Sequence, residues 1–271
     1  MSKKLKIVFI GGNHPRHLHY LNTIHQSFPV VGCIIEQRAN NTNEKNPIPP
    51  SNISEHDKEN FLKHFTNRND AEKKFFENPD LPDIPILEIR ESELNSERTS
   101  QFLQTKNPDV VLIFGAHLIK EPLLSVLPKN TINLHGGLSP RYRGTATMFW
   151  PFYFLEPNHV GSTFHFIVSE PDAGNIIHQS IPMLEKGDKI HDVACKTIIQ
   201  SSKDIVKLLK ILETNNEWKI FKQKGTGKNF LESDFRPEHL RIIYDQFDDK
   251  IVDEFLDGEI TPKKPKIITQ F

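Results

Sequence analysis

The chain has few of the features that mark secreted or membrane proteins. Its 271 residues include two cysteines, Cys33 and Cys195, which cannot build a disulfide framework. Cys33 lies in an apolar run over residues 30–35, which is typical of a buried strand with a reduced thiol. The longest apolar runs, such as residues 110–114, are far too short to span a membrane, and no apolar segment of signal-peptide length follows the first four residues. These absences favour a cytoplasmic protein with no membrane partner.

A charge excess of either sign is also missing. The chain carries 34 Lys and Arg against 35 Asp and Glu, a net charge of −1. Proteins that bind polynucleotides usually show a basic excess or a dense basic stripe, so the composition predicts no nucleic-acid partner. The length fits one large domain, or one domain with a small addition.

What the sequence does contain is alternation of short apolar strands with helical patterns. A strand over residues 5–10, a helix over 17–28 and a strand over 30–35 form a βαβ start, which favours a parallel sheet. Further strands are predicted over 86–89, 109–114, 131–135, 162–168 and 176–181, with helices over 54–76, 96–105 and 189–212. We therefore predict an α/β, Rossmann-like, mostly parallel sheet with helices on both faces.

The sequence pattern of apolar and polar residues changes near residue 214. We predict a catalytic domain over residues 1–213 and a small α+β appendage over 214–271. The appendage reads as a strand over 218–222, an amphipathic helix over 237–256 and a closing strand over 265–268.

The candidate chemistry lies at the end of the strand over 131–135. Alternate strand residues point to the same face, so Asn133 and His135 project side by side. Gly136 and Gly137 then break the strand and let the backbone approach a ligand. Asp172 lies on a turn before the next apolar run. An amide, an imidazole and a carboxylate together can polarise a carbonyl and manage a proton.

Residues 110–181 resemble the folate-dependent formyltransferases. That family carries Asn-x-His, then Leu-x-Pro-x-Tyr-Arg-Gly, then Asp-x-Gly-x-Ile-Ile, and all three occur here in order, at 133–135, 138–144 and 172–177. One departure is that Gly-Gly-Leu-Ser-Pro follows the histidine where many members have Ser-Leu-Leu-Pro. We expect this to alter the loop more than the chemistry.

The resemblance implies a mechanism. An amine attacks the formyl carbon of 10-formyltetrahydrofolate, and a tetrahedral oxyanion develops. Asn133 and protonated His135 would donate hydrogen bonds to that oxyanion. Asp172 would orient His135, favour its charged form and assist transfer of the amine's proton.

The first strand-to-helix turn is the candidate for an anionic substrate. Backbone N–H groups at a helix N-terminus suit phosphate, and here the turn supplies Gly12, Asn13, Arg16 and His17. The glycine spacing does not match a dinucleotide fingerprint, and a plain turn is the alternative interpretation. Histidines 14, 17 and 19 have no acidic or cysteine neighbours, so we predict no metal site.

Two further groups are candidates for ligand contact. An aromatic and basic cluster beside the active site can stack on a nucleobase, although such clusters are often core: Tyr142, Arg143 and Trp150. By resemblance, the segment after the strand over 109–114 lines the pterin pocket, so the folate contacts would be Phe114, Gly115, Leu118, Ile119 and Pro171. An ordinary strand-end loop is the alternative there.

The identity of the amine remains open between several members of the family. The resemblance is greatest to nucleotide-sugar N-formyltransferases, in the Asn-His-Pro-Arg-His turn at 13–17 and the tail at 236–247. It implies a dTDP-linked 4-amino-4,6-dideoxyhexose, with dTDP-4-amino-4,6-dideoxyglucose as the expected acceptor. The product would be destined for a surface polysaccharide such as the O-antigen of lipopolysaccharide, and the resemblance also implies a homodimer. Glycinamide ribonucleotide, methionyl-tRNA and water, as in a formyltetrahydrofolate hydrolase, are the alternative acceptors. A nucleotide-binding module without catalysis is the alternative outside this family.

Overall fold

The computed structural model describes residues 4–37, 47–224 and 227–271. The loop that polar, proline-rich residues 40–50 predict falls largely outside these ranges, as does most of the glycine turn predicted at 225–227. Strands β1 to β9 span, in order, Ile7–Gly12, Val30–Gln37, Ile86–Arg90, Val110–Phe114, Thr131–His135, Tyr142–Gly144, Ser162–Phe166, Ile176–Ser180 and Lys228–Phe230. Helices α1 to α6 span Pro15–His25, Glu55–Phe76, Glu97–Lys106, Trp150–Tyr153, Ile190–Asn215 and Ile251–Leu256.

Seven of the strands form one sheet in the order β3-β2-β1-β4-β5-β7-β8. The first five are parallel, and β7 runs antiparallel to both β5 and β8. Side chains of β1 alternate between two cores: Ile7 and Phe9 pack with α1, α2 and α5, whereas Val8 and Ile10 pack towards α3. Helices therefore cover both faces, and the predicted α/β fold is confirmed.

The long helix α2 begins where the sequence supplies a capping residue. The Ser54 hydroxyl accepts a hydrogen bond from the backbone N–H of Asp57 at 3.1 Å, an arrangement that typically contributes about 1 kcal/mol. The Asp57 carboxylate in turn accepts two hydrogen bonds of 2.7 Å from Arg241 of the carboxyl-terminal segment. The start of α2 is thus tied to residues far along the chain.

The carboxyl-terminal segment differs from its prediction in each element. Residues 218–222 make one bridge, between Phe221 and Ile176, instead of a strand. The helix predicted over 237–256 is broken into a short 3₁₀ turn, a π-helical turn over Ile242–Gln246 and α6. Asp248 and Asp249 have φ angles of 47° and 55°, which no α-helix can contain. Residues 265–268 form no strand.

The segment nevertheless shares a core with the rest of the chain. Leu240, Ile243 and Val252 are buried in one cluster with Phe61 of α2 and Trp150 of α4. A two-stranded sheet that the sequence did not reveal joins β6 to β9 in parallel. The boundary predicted at residue 213 stays a prediction, but the two parts pack together closely.

The last residues of the chain run beside β8, the outer strand of the main sheet. Gln179 and Ile268 exchange hydrogen bonds of 2.7 and 3.0 Å through the backbone N–H of each. Gln270 donates its side-chain amide to the carbonyl oxygen of Ile177 at 2.7 Å. The edge of the sheet is covered by this tail.

Candidate active site

Asn133 and His135 lie on β5 and point to one face of the sheet, as the alternation predicts. His135 is 7% exposed, and Asn133 is half-buried. The antiparallel partner β7 places His165 directly opposite Asn133. Two histidines and one amide therefore meet where the sheet changes from parallel to antiparallel.

Each ring nitrogen of His135 faces a hydrogen-bond acceptor. Nδ1 is 3.3 Å from Oδ2 of Asp172, and Nε2 is 3.0 Å from the carbonyl oxygen of Tyr142. Burial lowers the pKa of His135 below its usual value, and the charge of Asp172 only partly offsets this. A neutral ring carries one N–H, which the Asp172 carboxylate attracts to Nδ1. The lone pair of the ring is then on Nε2, which faces the Tyr142 carbonyl oxygen. When Nε2 is protonated, its N–H can donate a hydrogen bond to that oxygen.

Asp172 is an anion held by several donors. Burial alone would raise its pKa, but the neighbouring His165 and His135 side chains outweigh burial and bring the pKa to about 2. The backbone N–H of Gly144 also donates to Oδ2 at 3.3 Å. The Asp172 backbone is in the left-handed region, with φ of 49°. A carboxylate with so low a pKa stabilises a neighbouring cation better than it retains a proton.

His165 is a site residue that the sequence reasoning missed. Its Nδ1 donates to the carbonyl oxygen of Phe166 at 2.9 Å, so Nε2 can accept the Asn133 amide N–H, 3.1 Å away. The same Nε2 lies 3.4 Å from Oδ1 of Asp172. Asn133, His165, Asp172 and His135 thus form one chain of contacts that leaves the Asn133 amide a second N–H for a ligand. The sequence signal that could have identified it is the alternation of side chains along a strand: His165 is two residues from Thr163 and therefore lies on the same face of β7.

The loop after β5 is fastened to β7 through Thr163. The Thr163 hydroxyl donates to the carbonyl oxygen of Gly137 at 2.6 Å and accepts from the backbone N–H of Ser139 at 2.9 Å. A Cβ at Gly137 would lie 2.7 Å from the Tyr142 carbonyl oxygen and 2.8 Å from Nε2 of His135. The glycine is therefore required for the loop to pass so close to the His135 ring.

The predicted substrate turn and the predicted folate segment meet around His17. Its ring is 1% exposed and makes an edge contact with Phe114 at a centroid distance of 4.6 Å. A Cβ at Gly12 or Gly115 would lie 2.7 or 2.3 Å from the ring. The two glycines thus accommodate the ring, and His17 holds the ends of β1 and β4 together.

The other residues of the first turn have partners on neighbouring elements. Asn13 donates its side-chain amide to Oε1 of Gln37 at 3.1 Å. The Arg16 guanidinium, one quarter exposed, forms an ion pair with Glu72 of α2. An anionic ligand would therefore share Arg16 with Glu72.

The predicted base-stacking cluster divides into core and site residues. Tyr142 and Trp150 are buried and stack on Phe230, with the indole N–H donated to the carbonyl oxygen of Thr145 at 3.0 Å. Arg143 is half-buried, and its Nε has no hydrogen-bond partner among the described residues. Its charge is close enough to His135 to contribute to lowering the pKa of that ring. Arg143 is the member of this group with a donor left for a ligand.

The segment after β4 is anchored by a fully buried carboxylate. Glu36 of β2 accepts the backbone N–H of His117 at 3.1 Å and also pairs with the His117 ring. Leu118 is 41% exposed, whereas Ile119 is buried. Pro171, beside Asp172, is exposed. Leu118 and Pro171 are therefore accessible to a bound molecule.

No helix in the described ranges has the length and apolarity needed to cross a bilayer. Within the same ranges, no group of three or more His, Cys, Asp or Glu side chains is arranged to hold a metal ion.

The chain is similar to several known proteins. A family model described as formyl transferase matches residues 6–209. The fold resembles a 4-N formyltransferase from Francisella tularensis, with a TM-score of 0.55 and 18% identity over 85% of this chain and 78% of that one. A phosphoribosylglycinamide formyltransferase from Anaplasma phagocytophilum gives a TM-score of 0.54 and 16% identity, over 85% of this chain and 100% of that one. An N-formyltransferase from Helicobacter canadensis, solved with folinic acid and dTDP-3-aminofucose, gives 0.52 and 18%, over 84% and 72%.

Proposed function

Since the chain belongs to the formyl transferase family, we propose that it moves the formyl group of 10-formyltetrahydrofolate to the amine of a nucleotide-linked amino sugar. The observation that carries the proposal is the chain of contacts from Asn133 through His165 and Asp172 to His135. It combines the amide donor of Asn133, the His135 ring, which has a hydrogen-bond acceptor in place when it is protonated, and the negative charge of Asp172. These groups can supply the oxyanion stabilisation and the proton transfer that acyl transfer uses.

The geometry suggests how the residues divide the work. As the amine attacks the formyl carbon, the carbonyl oxygen becomes an oxyanion, which accepts the free N–H of Asn133. The amine's proton passes to Nε2 of His135, directly or through water, and the imidazolium then donates to the oxyanion or to the departing folate nitrogen. Asp172 stabilises that imidazolium from Nδ1. With a pKa of about 2, Asp172 serves as the counter-ion rather than as the final acceptor of the proton.

Contacts to the two substrates are proposed on the segments predicted for them. Folate would lie over Phe114, Gly115, Leu118, Ile119 and Pro171, of which Leu118 and Pro171 are accessible. The nucleotide sugar would use the first turn, with Gly12, Asn13, Arg16 and His17, and the Tyr142–Trp150 region through Arg143. His17, Tyr142 and Trp150 would then act by shaping the site, because they are buried.

The choice of a sugar amine rests on the neighbours and on chain length. Of the three structures described above, one is a 4-N formyltransferase and another is an N-formyltransferase solved with dTDP-3-aminofucose. The phosphoribosylglycinamide enzyme is matched over 100% of its length by only 85% of this chain, so the present chain carries additional residues. We propose dTDP-4-amino-4,6-dideoxyglucose as the acceptor, in the cytoplasmic synthesis of an O-antigen or similar polysaccharide. The homodimer remains a prediction.

Glycinamide ribonucleotide is the second candidate acceptor. The fold likeness to the Anaplasma enzyme, at a TM-score of 0.54, is about as great as the likeness to the 4-N formyltransferase, which keeps this acceptor as a candidate. The two candidates share the donor and the reacting groups and differ in the molecule that carries the amine.

An acceptor screen tests the proposal. Purified protein receives 10-formyltetrahydrofolate with a dTDP-4-amino-4,6-dideoxyhexose, with glycinamide ribonucleotide or with buffer, and folate absorbance is followed. We expect turnover with the nucleotide sugar, and a loss of about 10²–10³ in kcat in His135→Ala. His25→Ala, at an exposed position on α1, is the matched control. Turnover with glycinamide ribonucleotide alone would establish the second candidate, and equal turnover in buffer would mean hydrolysis.

A further inference from the structure

A glutamine from the carboxyl-terminal segment touches the turn that carries Asp172. The side-chain amide of Gln223 donates to the carbonyl oxygens of Asp172 and Gly174, each at 2.7 Å. Two residues earlier, Phe221 exchanges backbone hydrogen bonds of 2.8 and 2.9 Å with Ile176. Residues 221–223 therefore run along the end of the turn and the start of β8.

The turn itself has few internal bonds to fix its shape. Residues 168–171 are exposed. The backbone hydrogen bond from Ala173 to Glu170 is long, at 3.4 Å, and Asp172 is in the left-handed region. A carboxylate on such a turn is only as well placed as the backbone beneath it. Gln223 ties that backbone at the residue itself and two residues on.

The same segment also supports the other contacts of the His135–Asp172 pair. Strand β9 pairs with β6 at Tyr142, whose carbonyl oxygen faces Nε2 of His135. It pairs again at Gly144, whose N–H donates to Asp172. Residues 221–224 and 227–230 thus hold both the Asp172 turn and the strand opposite it.

We propose that Gln223 is a positioning residue, which keeps the Asp172 carboxylate within reach of His135 and His165. Gln223 lies beyond residue 209, where the match to the family ends. The inference rests on the proposed formyl transfer at Asn133, His135 and Asp172, and it assigns part of that machinery to the carboxyl-terminal segment. Catalytic groups displaced by about 1 Å can lose about 10²-fold in rate, so a residue that only positions can still have a large effect.

The test compares two glutamines whose side-chain amides each donate to two backbone carbonyl oxygens. Gln223→Met keeps the side-chain volume and removes the donor. Gln270→Met does the same to an amide that donates to the carbonyl oxygens of Ile177 and Lys219, both at 2.7 Å and away from the Asp172 turn. We expect Gln223→Met to lower kcat by about 10- to 100-fold with KM values within about 3-fold. Gln270→Met should change kcat by less than about 2-fold.

A second readout separates positioning from loss of structure. The charge of Asp172 raises the pKa of His135 against the effect of burial. If the carboxylate moves away, the pKa of His135 falls further, which NMR titration of the ring protons measures without any substrate. We expect this decrease in Gln223→Met and not in Gln270→Met, with unchanged circular dichroism in both.

The outcomes distinguish the inference from the proposed function. A wild-type protein that formylates none of the amines would refute the proposed function, while the NMR titration would still test Gln223. An active wild type with the same kcat and the same pKa of His135 in both variants would overturn the inference. A fall in kcat without a change in that pKa would also overturn it.

Discussion

Asp249 offers the most quantitative test of how the carboxyl-terminal segment joins the rest of the chain. It lies in the turn before α6, is 7% exposed, and accepts the backbone N–H of Ile190, the first residue of α5, at 3.0 Å. Burial raises its pKa to about 6, although that hydrogen bond and the charges of Lys189 and Lys63 oppose the shift, while Asp192 adds to it. A carboxylate with a raised pKa is more stable protonated in the folded protein.

The consequence for stability has a definite sign. Between about pH 4 and pH 6 the folded chain holds a proton on Asp249 that the unfolded chain has released. The free energy of unfolding contributed by this group is therefore highest at low pH and falls as pH rises through 6. Above pH 6 the loss is complete and is bounded by about 2.2 pKa units, or about 3 kcal/mol.

Asp249→Asn removes the buried charge and keeps an oxygen that can accept the Ile190 N–H. Asparagine also tolerates the φ of 55° at this position. Its amide group must find partners, which costs about 1 kcal/mol, so we expect a gain of about 2 kcal/mol near pH 8. Near pH 5, one unit below the pKa, the gain should shrink by about 1.4 kcal/mol.

Urea unfolding followed by tryptophan fluorescence at both pH values measures the difference. Asp248→Asn is the control, because Asp248 is the neighbouring residue, its side chain is 70% exposed and its φ of 47° is similar. That variant should change the free energy of unfolding by less than about 0.5 kcal/mol. If Asp249→Asn were no more stable than the wild type near pH 8, burial would not be the dominant influence on this carboxylate.

Two further predictions concern a closely packed glycine and the two buried cysteines. Gly115→Ala should lower the free energy of unfolding by at least about 2 kcal/mol, because φ is +74° and the new Cβ would lie 2.3 Å from Nε2 of His17. Gly187→Ala has φ of +87° but meets no described atom within 4 Å, so it should cost only about 1 kcal/mol, and equal melting temperatures by calorimetry would contradict this reasoning. Burial raises the pKa of Cys33 to about 12 and raises that of Cys195 as well. An aromatic disulfide reagent near pH 8 should therefore label neither thiol in the folded protein and both in guanidinium, and rapid labelling of the folded protein would show an accessible thiolate.

The main sheet could be predicted because its signals are local. Apolar runs such as residues 110–114 are long enough to mark buried strands. The pattern over 54–76, in which phenylalanines recur among charged residues, begins at a serine that does cap α2. Asn133 and His135 could be placed on one face by alternation alone. The structure brings Asp172 beside His135 as the motif implied.

The features that escaped prediction depend on pairing between distant residues. His165 joins the site only because the antiparallel register sets it against Asn133. Residues 142–144 look like a turn in sequence and become a strand because β9 lies alongside them. The apolar spacing over 237–256 is helical, but it carries no information about the two aspartates whose positive φ angles end the helix.

The tail along β8 has a consequence for how molecules of this protein meet. An uncovered outer strand offers unpaired N–H and C=O groups to a neighbouring chain and promotes aggregation. Here the carbonyl oxygen of Ile268 accepts the backbone N–H of Gln179, and the Gln270 side chain donates to the carbonyl oxygen of Ile177. Phe271 packs against His178 at a centroid distance of 4.6 Å. Removal of the last few residues would leave backbone N–H and C=O groups of β8 free to pair with a strand of another molecule.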